Sequence, residues 1–300
     1  MTTSKDLLLA ILAMDSYNRE YGAGLVVSGA QVGSATFKDH VASSISETTY
    51  SNWQSSGFYA AAYDTPYGQV ISYRGTDNFS SDPNKGGSDV WKGWVSSVGI
   101  PSSQYGLAMQ FYQTITGKSV YDGAASSTIL TGHSLGGGLA GMVGALSGTE
   151  TLTFDHAPFG LISILQYAYD HPSQIIDPST WSSWLKLSQI SGIYVDGEIM
   201  ELARSSVTAG IISQLLYGNL IPGLLASAVE SQVSKTELQS YSDPAWETSP
   251  DGIANKLHAN DLLVLLQFAK DNNLTDWQSI GIPLWNSYFD DTVGSVLGLR

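Results

Sequence analysis

Residues 129–138 read Ile-Leu-Thr-Gly-His-Ser-Leu-Gly-Gly-Gly, and this stretch decides the predicted fold. The apolar, β-branched run at 127–131 predicts a strand, and the small residues that follow predict a closely packed helix. Between them, the pattern Gly-x-Ser134-x-Gly predicts a sharp turn that holds the serine hydroxyl exposed, because larger side chains on either side would clash. The positive N-terminal end of the helix would then lie under Ser134, where oxyanion charge develops. Together, strand, turn and helix predict a nucleophile elbow.

The composition favours a globular protein and argues against several classes of function. With 300 residues and 43% hydrophobic content, the chain is long enough for one α/β domain with a substantial core. The formal net charge of −14 argues against a nucleic-acid partner, because neutralising phosphates needs a surplus of Lys and Arg. The chain has no cysteine, which excludes disulfides, cysteine-zinc sites and thiol catalysis.

The apolar segment 7–14 near the start of the chain is too short to span a bilayer. Asp6 precedes it, Asp15 ends it, and no cleavage-site pattern follows, so a cleaved signal peptide is not expected. The segment instead predicts an amphipathic first helix capped near Thr3 or Ser4. We expect no transmembrane segment, and a protein that is cytoplasmic or secreted without a cleaved N-terminal signal.

Strand and helix signals alternate along the chain, which predicts a mostly parallel central sheet flanked by helices. The predicted elements are a hairpin in 22–37, strands at 57–63 and 69–74 joined by a turn at 65–68, a helix at 107–116, strands at 151–154 and 190–195, and a last helix at 261–270. We expect one domain over 1–300. Segment 79–99 is a candidate lid, and segments 161–187 and 206–233 are either helices that pack in the core or candidate caps.

The order nucleophile, acid, base leaves one histidine as the candidate base. Of the five histidines, His133 lies inside the elbow with its ring directed away from the serine hydroxyl. His40 and His156 lie too early in the chain, and His171 stands beside a proline. His258 remains, on a loop directly before an apolar helix, where the base of such a site is expected.

Three carboxylates compete for the role of the acid. Asp196 and Glu198 both follow the predicted strand 190–195, at the strand end where an acid must lie to orient the imidazole. Asp155 ends the preceding strand and is the third candidate. The sequence leaves the choice among them open.

The oxyanion hole needs two N–H donors. One is the amide of Leu135, directly after the nucleophile, and segment 72–77 supplies the other through Thr76. We expect no metal and no cofactor. The oxygen-bearing side chains crowded into the loop 77–89 lack the spacing of an EF-hand, so a solvated loop is predicted there.

The segments Tyr-Arg-Gly-Thr at 73–76 and Gly-His-Ser-Leu-Gly-Gly at 132–137, with the late His258, resemble the class 3, or fungal-type, lipases of the α/β-hydrolase superfamily. The resemblance implies an α/β-hydrolase fold, Ser134 as nucleophile, His258 as base and Thr76 as oxyanion residue. It also implies a lid helix in 79–99. It is specific over roughly residues 57–160.

The resemblance also bears on the acid. The family acid stands before two apolar residues, which matches Glu198-Ile-Met, but the family uses Asp at that place. A second departure is the turn after the strand 151–154, which reads Asp-His-Ala-Pro-Phe-Gly. Asp196 and Glu198 both stay open.

The leading functional prediction is a serine carboxylester hydrolase that cleaves acyl esters of lipids through an acyl-enzyme on Ser134. Aromatic residues (Trp91, Trp94, Tyr105) and the apolar segments would bind the acyl chain, with transient contact to a lipid surface. Within that class, a soluble-ester esterase, phospholipase, thioesterase or polyester hydrolase are alternatives. A serine peptidase or amidase, and a non-catalytic binding module, are alternatives of other classes.

Overall fold

This computed structural model describes residues 5–21, 29–75, 103–172, 184–195, 204, 229 and 231–238. The strands of these residues form one sheet. Within those residues, eight strands follow one another across the sheet in chain order. They are β1 (Gln31–Val32), β2 (Ala35–Lys38), β3 (Ala60–Thr65), β4 (Gly68–Tyr73), β5 (Thr128–His133), β6 (Glu150–Phe154), β7 (Ile190–Val195) and β8 (Ser234–Leu238). The first four strands are antiparallel, and those from β4 to β8 are parallel. The predicted α/β class with a mostly parallel sheet is confirmed, and it is consistent with an α/β-hydrolase-like fold.

The helices of the described residues flank this sheet. They are α1 (Lys5–Asp15), α2 (His40–Ser43), α3 (Glu47–Ser56), α4 (Ser103–Thr116), α5 (Leu135–Ser147) and α6 (Gly160–Asp170). Both α1 and α5 pack against the central strands β4, β5 and β6. Every residue of β5 is buried, so both faces of this strand are covered, as expected for a central parallel strand.

The prediction of an amphipathic first helix is wrong. All residues of α1 from Leu7 to Asp15 are buried, so the helix has no solvent-facing stripe beyond its first turn. The buried Asp15 carboxylate accepts hydrogen bonds from Arg19 Nε at 2.7 Å and from Tyr63 Oη at 2.9 Å. A helix that is apolar all round belongs in a core, and α1 is one.

The predicted turn at 65–68 is confirmed as a two-residue hairpin between β3 and β4. Thr65 pairs with Gly68, and Pro66 and Tyr67 form the turn between them. Gly68 has a φ of 118°, and a Cβ on it would lie 2.4 Å from the carbonyl oxygen of Ser127 on the way into β5. A glycine is therefore required where this hairpin touches the approach to the elbow.

The remaining predicted elements have mixed outcomes. The hairpin predicted in 22–37 is present as β1 and β2, and the helix predicted at 107–116 begins earlier, at Ser103. The segment 161–187 begins as α6, whose N-terminal half is buried. The lid segment 79–99, most of 206–233 and the helix 261–270 lie outside the described residues. Within the described part of the chain, no helix combines the length and apolarity needed to cross a bilayer.

Candidate active site

Ser134 is the single residue that links β5 to α5, and its backbone conformation is one that serine rarely adopts. Its φ is 56° and its ψ is −126°, and a conformation of this kind costs about 1–3 kcal/mol. Three backbone hydrogen bonds hold it there. The Ser134 amide donates to Phe154 O at 3.0 Å, and its carbonyl oxygen accepts from Gly138 N at 3.1 Å and Ala157 N at 2.9 Å. The surrounding backbone therefore imposes the predicted sharp turn.

The two glycines of the Gly-x-Ser-x-Gly pattern are required by close backbone contacts. A Cβ on Gly132 would lie 2.4 Å from Gly136 O, so the strand and the helix cross at backbone distance. A Cβ on Gly136 would lie 2.0 Å from Tyr73 O, at the end of β4. Both glycines are thus required because a side chain would clash, as predicted from the sequence. The contact at Gly136 also involves β4.

The segment after β6 packs against the same helix. A Cβ on Gly137 would lie 2.7 Å from the Cβ of His156, and one on Gly141 would lie 2.4 Å from the ring of Phe159. The small residues of α5 therefore let residues 156–159 approach the first turns of the helix. The ends of β4, β5 and β6 converge around Ser134 as a result.

The end of β4 brings the predicted oxyanion segment beside the elbow. Tyr73 pairs with Gly132, and a Cβ on Gly75 would lie 2.6 Å from the carbonyl oxygen of His133. Thr76 is the next residue in the chain and lies outside the described residues. Leu135 is the first residue of α5, so its amide belongs to the N-terminal turn, where helix amides have no partner within the helix. The oxyanion roles of Thr76 and Leu135 stay predictions.

The histidines that the structure describes are engaged elsewhere. The hydroxyl of Tyr17 lies 3.2 Å from Nδ1 of His133, the residue before the nucleophile. Nδ1 of His171 lies 3.0 Å from Tyr167 O, and its ring stacks on that of Tyr167. His40 lies edge-on to Phe111, and burial lowers its pKa. His258, the predicted base, lies outside the described residues.

His156 is buried completely beside the elbow. Its Nδ1 lies 2.9 Å from Ala157 O, and its Nε2 lies 2.7 Å from Tyr194 Oη. Burial, together with the positive charge of Arg204, lowers the pKa of His156 to about 3. A histidine in this state is neutral at physiological pH, and both its ring nitrogens already have partners.

Among the three acid candidates, the structure describes Asp155. It follows β6, is 3% exposed, has a φ of 42°, and its amide donates to Ile193 O at 3.0 Å. Asp196 and Glu198 lie outside the described residues, directly after Val195, the last residue of β7. Because β5, β6 and β7 are parallel, their ends meet at the edge of the sheet that carries Ser134. The identity of the acid stays a prediction.

Sequence reasoning missed the contacts that His156, Tyr194 and Arg204 make beside the site. The rule that parallel strands end at one edge could have indicated His156 and Tyr194, since both stand within two residues of the end of β6 or β7. The contact with Arg204 is not visible in any local pattern. Within the described part of the chain, His, Asp and Glu form no group of three or more that could hold a metal ion.

Comparison with known proteins adds two findings. The family described as phospholipase-like, with a Tle-like phospholipase domain, matches residues 9–242. An extracellular phospholipase A1 from Serratia liquefaciens is 30% identical over 106 residues, which are 34% of this chain and 28% of that protein. The chain therefore matches less than a third of the length of this relative. Both findings support a lipase or phospholipase hydrolase family without favouring the class 3 lipases. The family match contains Ser134 and all three acid candidates, and it ends before His258.

Proposed function

The chain belongs to the phospholipase-like family with a Tle-like phospholipase domain, and from this premise we propose that it hydrolyses acyl esters of phospholipids through an acyl-enzyme on Ser134. The observation that carries the proposal is the backbone of Ser134, with φ 56° and ψ −126° between β5 and α5. In this conformation the Ser134 side chain makes no capping hydrogen bond to the helix it precedes. A hydroxyl in that position is available to a base and a substrate.

In the first half of the reaction, Ser134 Oγ attacks the ester carbonyl carbon while its proton passes to the neutral imidazole of His258. The acid, Asp196, Glu198 or Asp155, orients the imidazole and stabilises its cation. The negative charge that develops on the carbonyl oxygen is stabilised by the amides of Leu135 and Thr76 and by the N-terminal end of α5. The imidazolium then donates its proton to the leaving alkoxide, so a lysophospholipid departs and the acyl group stays on Ser134.

In the second half, a water molecule attacks the acyl-enzyme carbonyl and gives its proton to His258. The tetrahedral intermediate collapses, and Ser134 Oγ takes the proton back as the fatty acid leaves. The same groups therefore act twice, and the reaction consumes one water for each ester bond that it breaks.

Phospholipid is proposed ahead of triacylglycerol because both the family and the Serratia relative are described as phospholipases. The formal net charge of −14 disfavours docking on anionic membranes, so zwitterionic phospholipid is the expected substrate surface. A triacylglycerol lipase, which would use the same groups, is the second candidate within the same chemistry.

A substrate panel tests the proposal. Rates are measured on phosphatidylcholine in mixed micelles, emulsified triacylglycerol, a soluble p-nitrophenyl ester and the matching anilide, with Ser134→Ala as the blank for each. We expect phosphatidylcholine to give the highest kcat/KM, the anilide to give none, and the blank to be inactive throughout. Preference for the soluble ester would indicate an esterase, and turnover of the anilide a peptidase or amidase. An active Ser134→Ala would overturn the proposal.

A further inference from the structure

His156, Tyr194 and Arg204 form a buried group beside the elbow, which we name the His156 cluster. Tyr194 Oη lies 2.7 Å from His156 Nε2, and Arg204 Nη1 donates to His156 O at 2.7 Å. The guanidinium carbon of Arg204 also lies 4.3 Å from the centre of the Tyr194 ring, a cation–π contact. Each member of the cluster therefore contacts the other two.

The hydrogen bonds define the protonation of the cluster. Ala157 O can only accept, so His156 Nδ1 carries the proton and Nε2 is the acceptor for the Tyr194 hydroxyl. Burial, together with the charges of Arg204 and Lys235, lowers the pKa of His156 to about 3. The imidazole therefore stays neutral across physiological pH, and its role is to connect other groups rather than to exchange protons.

Two glycines make room for the cluster. A Cβ on Gly192 in β7 would lie 2.4 Å from the hydroxyl of Tyr194, so the tyrosine side chain lies back along its own strand. A Cβ on Gly137 in the first turn of α5 would lie 2.7 Å from the Cβ of His156. His156 is thus packed between the first turn of α5 and the side chain of Tyr194 in β7.

Two members of the cluster also flank the acid candidates Asp196 and Glu198 in the sequence. Tyr194 stands two residues before Asp196, and Arg204 stands six residues after Glu198. Both ends of the stretch that carries these carboxylates are therefore attached to His156. We propose that the His156 cluster anchors the chain on both sides of Asp196 and Glu198, with Tyr194 and Arg204 as positioning residues for the acid. This inference rests on the proposed function.

The size of the expected effect follows from the role of the acid. The acid acts by orienting the imidazole, and its removal costs about 10⁴-fold in rate. A displaced but intact acid costs less, because a misplacement of about 1 Å in catalytic geometry costs on the order of 10²-fold. Loss of one hydrogen bond in the cluster should displace the acid by less than this and lower kcat by about tenfold.

The first test is Tyr194→Phe, which removes the hydrogen bond to His156 and keeps the ring that contacts Arg204. We expect kcat on phosphatidylcholine to fall about tenfold with KM unchanged within about twofold, since positioning affects the transition state and not substrate binding. The matched control is Tyr112→Phe. The Tyr112 hydroxyl is also buried, lies 2.8 Å from Thr149 Oγ1 and accepts from Ala125 N, beside the C-terminal end of α5. The control should lose comparable thermal stability and keep its kcat.

The second test separates positioning from a general structural effect. Asp196→Asn, Glu198→Gln and Asp155→Asn are measured first, and Tyr194→Phe is then added to the most impaired variant. If Tyr194 acts through the acid, the added substitution changes kcat by less than about twofold, since residues that act as a unit are non-additive. A further tenfold loss would overturn the inference, as would Asp155→Asn being the most impaired or all three variants being mild. Should Tyr194→Phe fail to fold, Arg204→Lys replaces it in both experiments with the same expectations.

The outcome is distinct from that of the proposed function. If Ser134→Ala is inactive while Tyr194→Phe retains its full kcat, the inference about the His156 cluster fails and the function stands. If Ser134→Ala is active, the proposed function is wrong, and the inference that rests on it is wrong as well.

Discussion

Two serines, Ser46 and Ser134, stand at the same place in their helices, directly before α3 and α5, yet their surroundings differ. Ser46 has an extended backbone, with φ −68° and ψ 154°, and its Oγ accepts a hydrogen bond from Thr49 N at 3.2 Å. Ser134 has φ 56° and ψ −126°, and its side chain makes no capping bond. Ser46 is exposed, whereas Ser134 is 5% exposed.

The difference shows that the backbone, rather than the residue type, determines what such a serine can do. In α3 the hydroxyl satisfies an amide of the first turn and stabilises the helix. At α5 the Ser134 hydroxyl makes no capping bond, so the hydroxyl and the first-turn amides remain two separate chemical groups. The strain is maintained because the Ser134 amide donates to Phe154 O and the Ser134 carbonyl oxygen accepts from Ala157 N.

The largest contrast is expected from the two alanine variants. Ser134→Ala should lower phosphatidylcholine turnover by about 10⁴- to 10⁶-fold without unfolding the protein, because the nucleophile is lost. Ser46→Ala should leave turnover unchanged and lower the free energy of unfolding by about 1 kcal/mol, because a capping bond is lost. Initial rates and urea unfolding check both variants. Loss of activity in Ser46→Ala would break the comparison.

A second contrast concerns the glycines that permit the turn. Gly136→Ala should lower the free energy of unfolding by about 3 kcal/mol, since the new Cβ would meet Tyr73 O at 2.0 Å. Gly106→Ala is the matched control, because Gly106 is exposed within α4 and no atom lies within 4 Å of the added Cβ. It should stabilise the protein by about 0.5–1 kcal/mol. Chemical denaturation of both variants measures the difference, and equal effects would contradict the close-packing argument.

Ser134 lies beside the buried His156, whereas Ser46 is exposed. The buried histidine makes the free energy of unfolding depend on pH. The pKa of His156 is lowered to about 3 in the folded protein, against about 6.5 in an unfolded chain. Between these values the unfolded chain binds a proton that the folded protein does not, so this contribution to stability is complete above pH 6.5 and is lost as the pH falls.

The measurement is the free energy of unfolding from pH 4 to pH 7 in wild type and in His156→Gln. Wild type should lose about 1.4 kcal/mol more per pH unit than the variant between pH 4 and 6, because one more proton is linked to unfolding. Other titrating groups contribute equally to both proteins. Parallel curves would mean that His156 is protonated in the folded state.

The smallest expected contrast comes from glycine at the two serine positions. Ser134→Gly should raise the free energy of unfolding by about 1 kcal/mol, because glycine adopts a positive φ without strain. Ser46→Gly should lower it by a few tenths of a kcal/mol, roughly the cost of replacing an N-cap serine by glycine. Thermal unfolding shows whether each substitution stabilises or destabilises the protein. A destabilised Ser134→Gly would show that the backbone of Ser134 is not strained.

The elements that the sequence predicted well are those whose signals are local. The elbow and the hairpin at 65–68 are each specified within about ten residues, by glycine positions and a change of periodicity. The first helix was assigned the wrong environment, because a short apolar run does not show how many sides will be covered. The strand β8, Ser234–Leu238, was missed because it is polar and most of its residues are exposed.

The contacts that position the site were the least accessible to prediction. Tyr194 and His156 are 38 residues apart in the chain, and they meet only because β6 and β7 are parallel neighbours. Asp155 follows β6 as predicted, but no local pattern separates a structural carboxylate from a catalytic one. The roles of Thr76, Asp196, Glu198 and His258 stay predictions that the variants above can test.

The most direct test of the central claim is covalent labelling with a long-chain fluorophosphonate, which reacts with activated serine hydroxyls. Wild type should take up one adduct per chain, and mass spectrometry of peptides should place it on Ser134 alone, with labelling abolished in Ser134→Ala and unchanged in Ser46→Ala. An adduct on any other serine, or full hydrolytic activity in a protein that takes up none, would contradict the claim that the strained turn makes Ser134 the nucleophile.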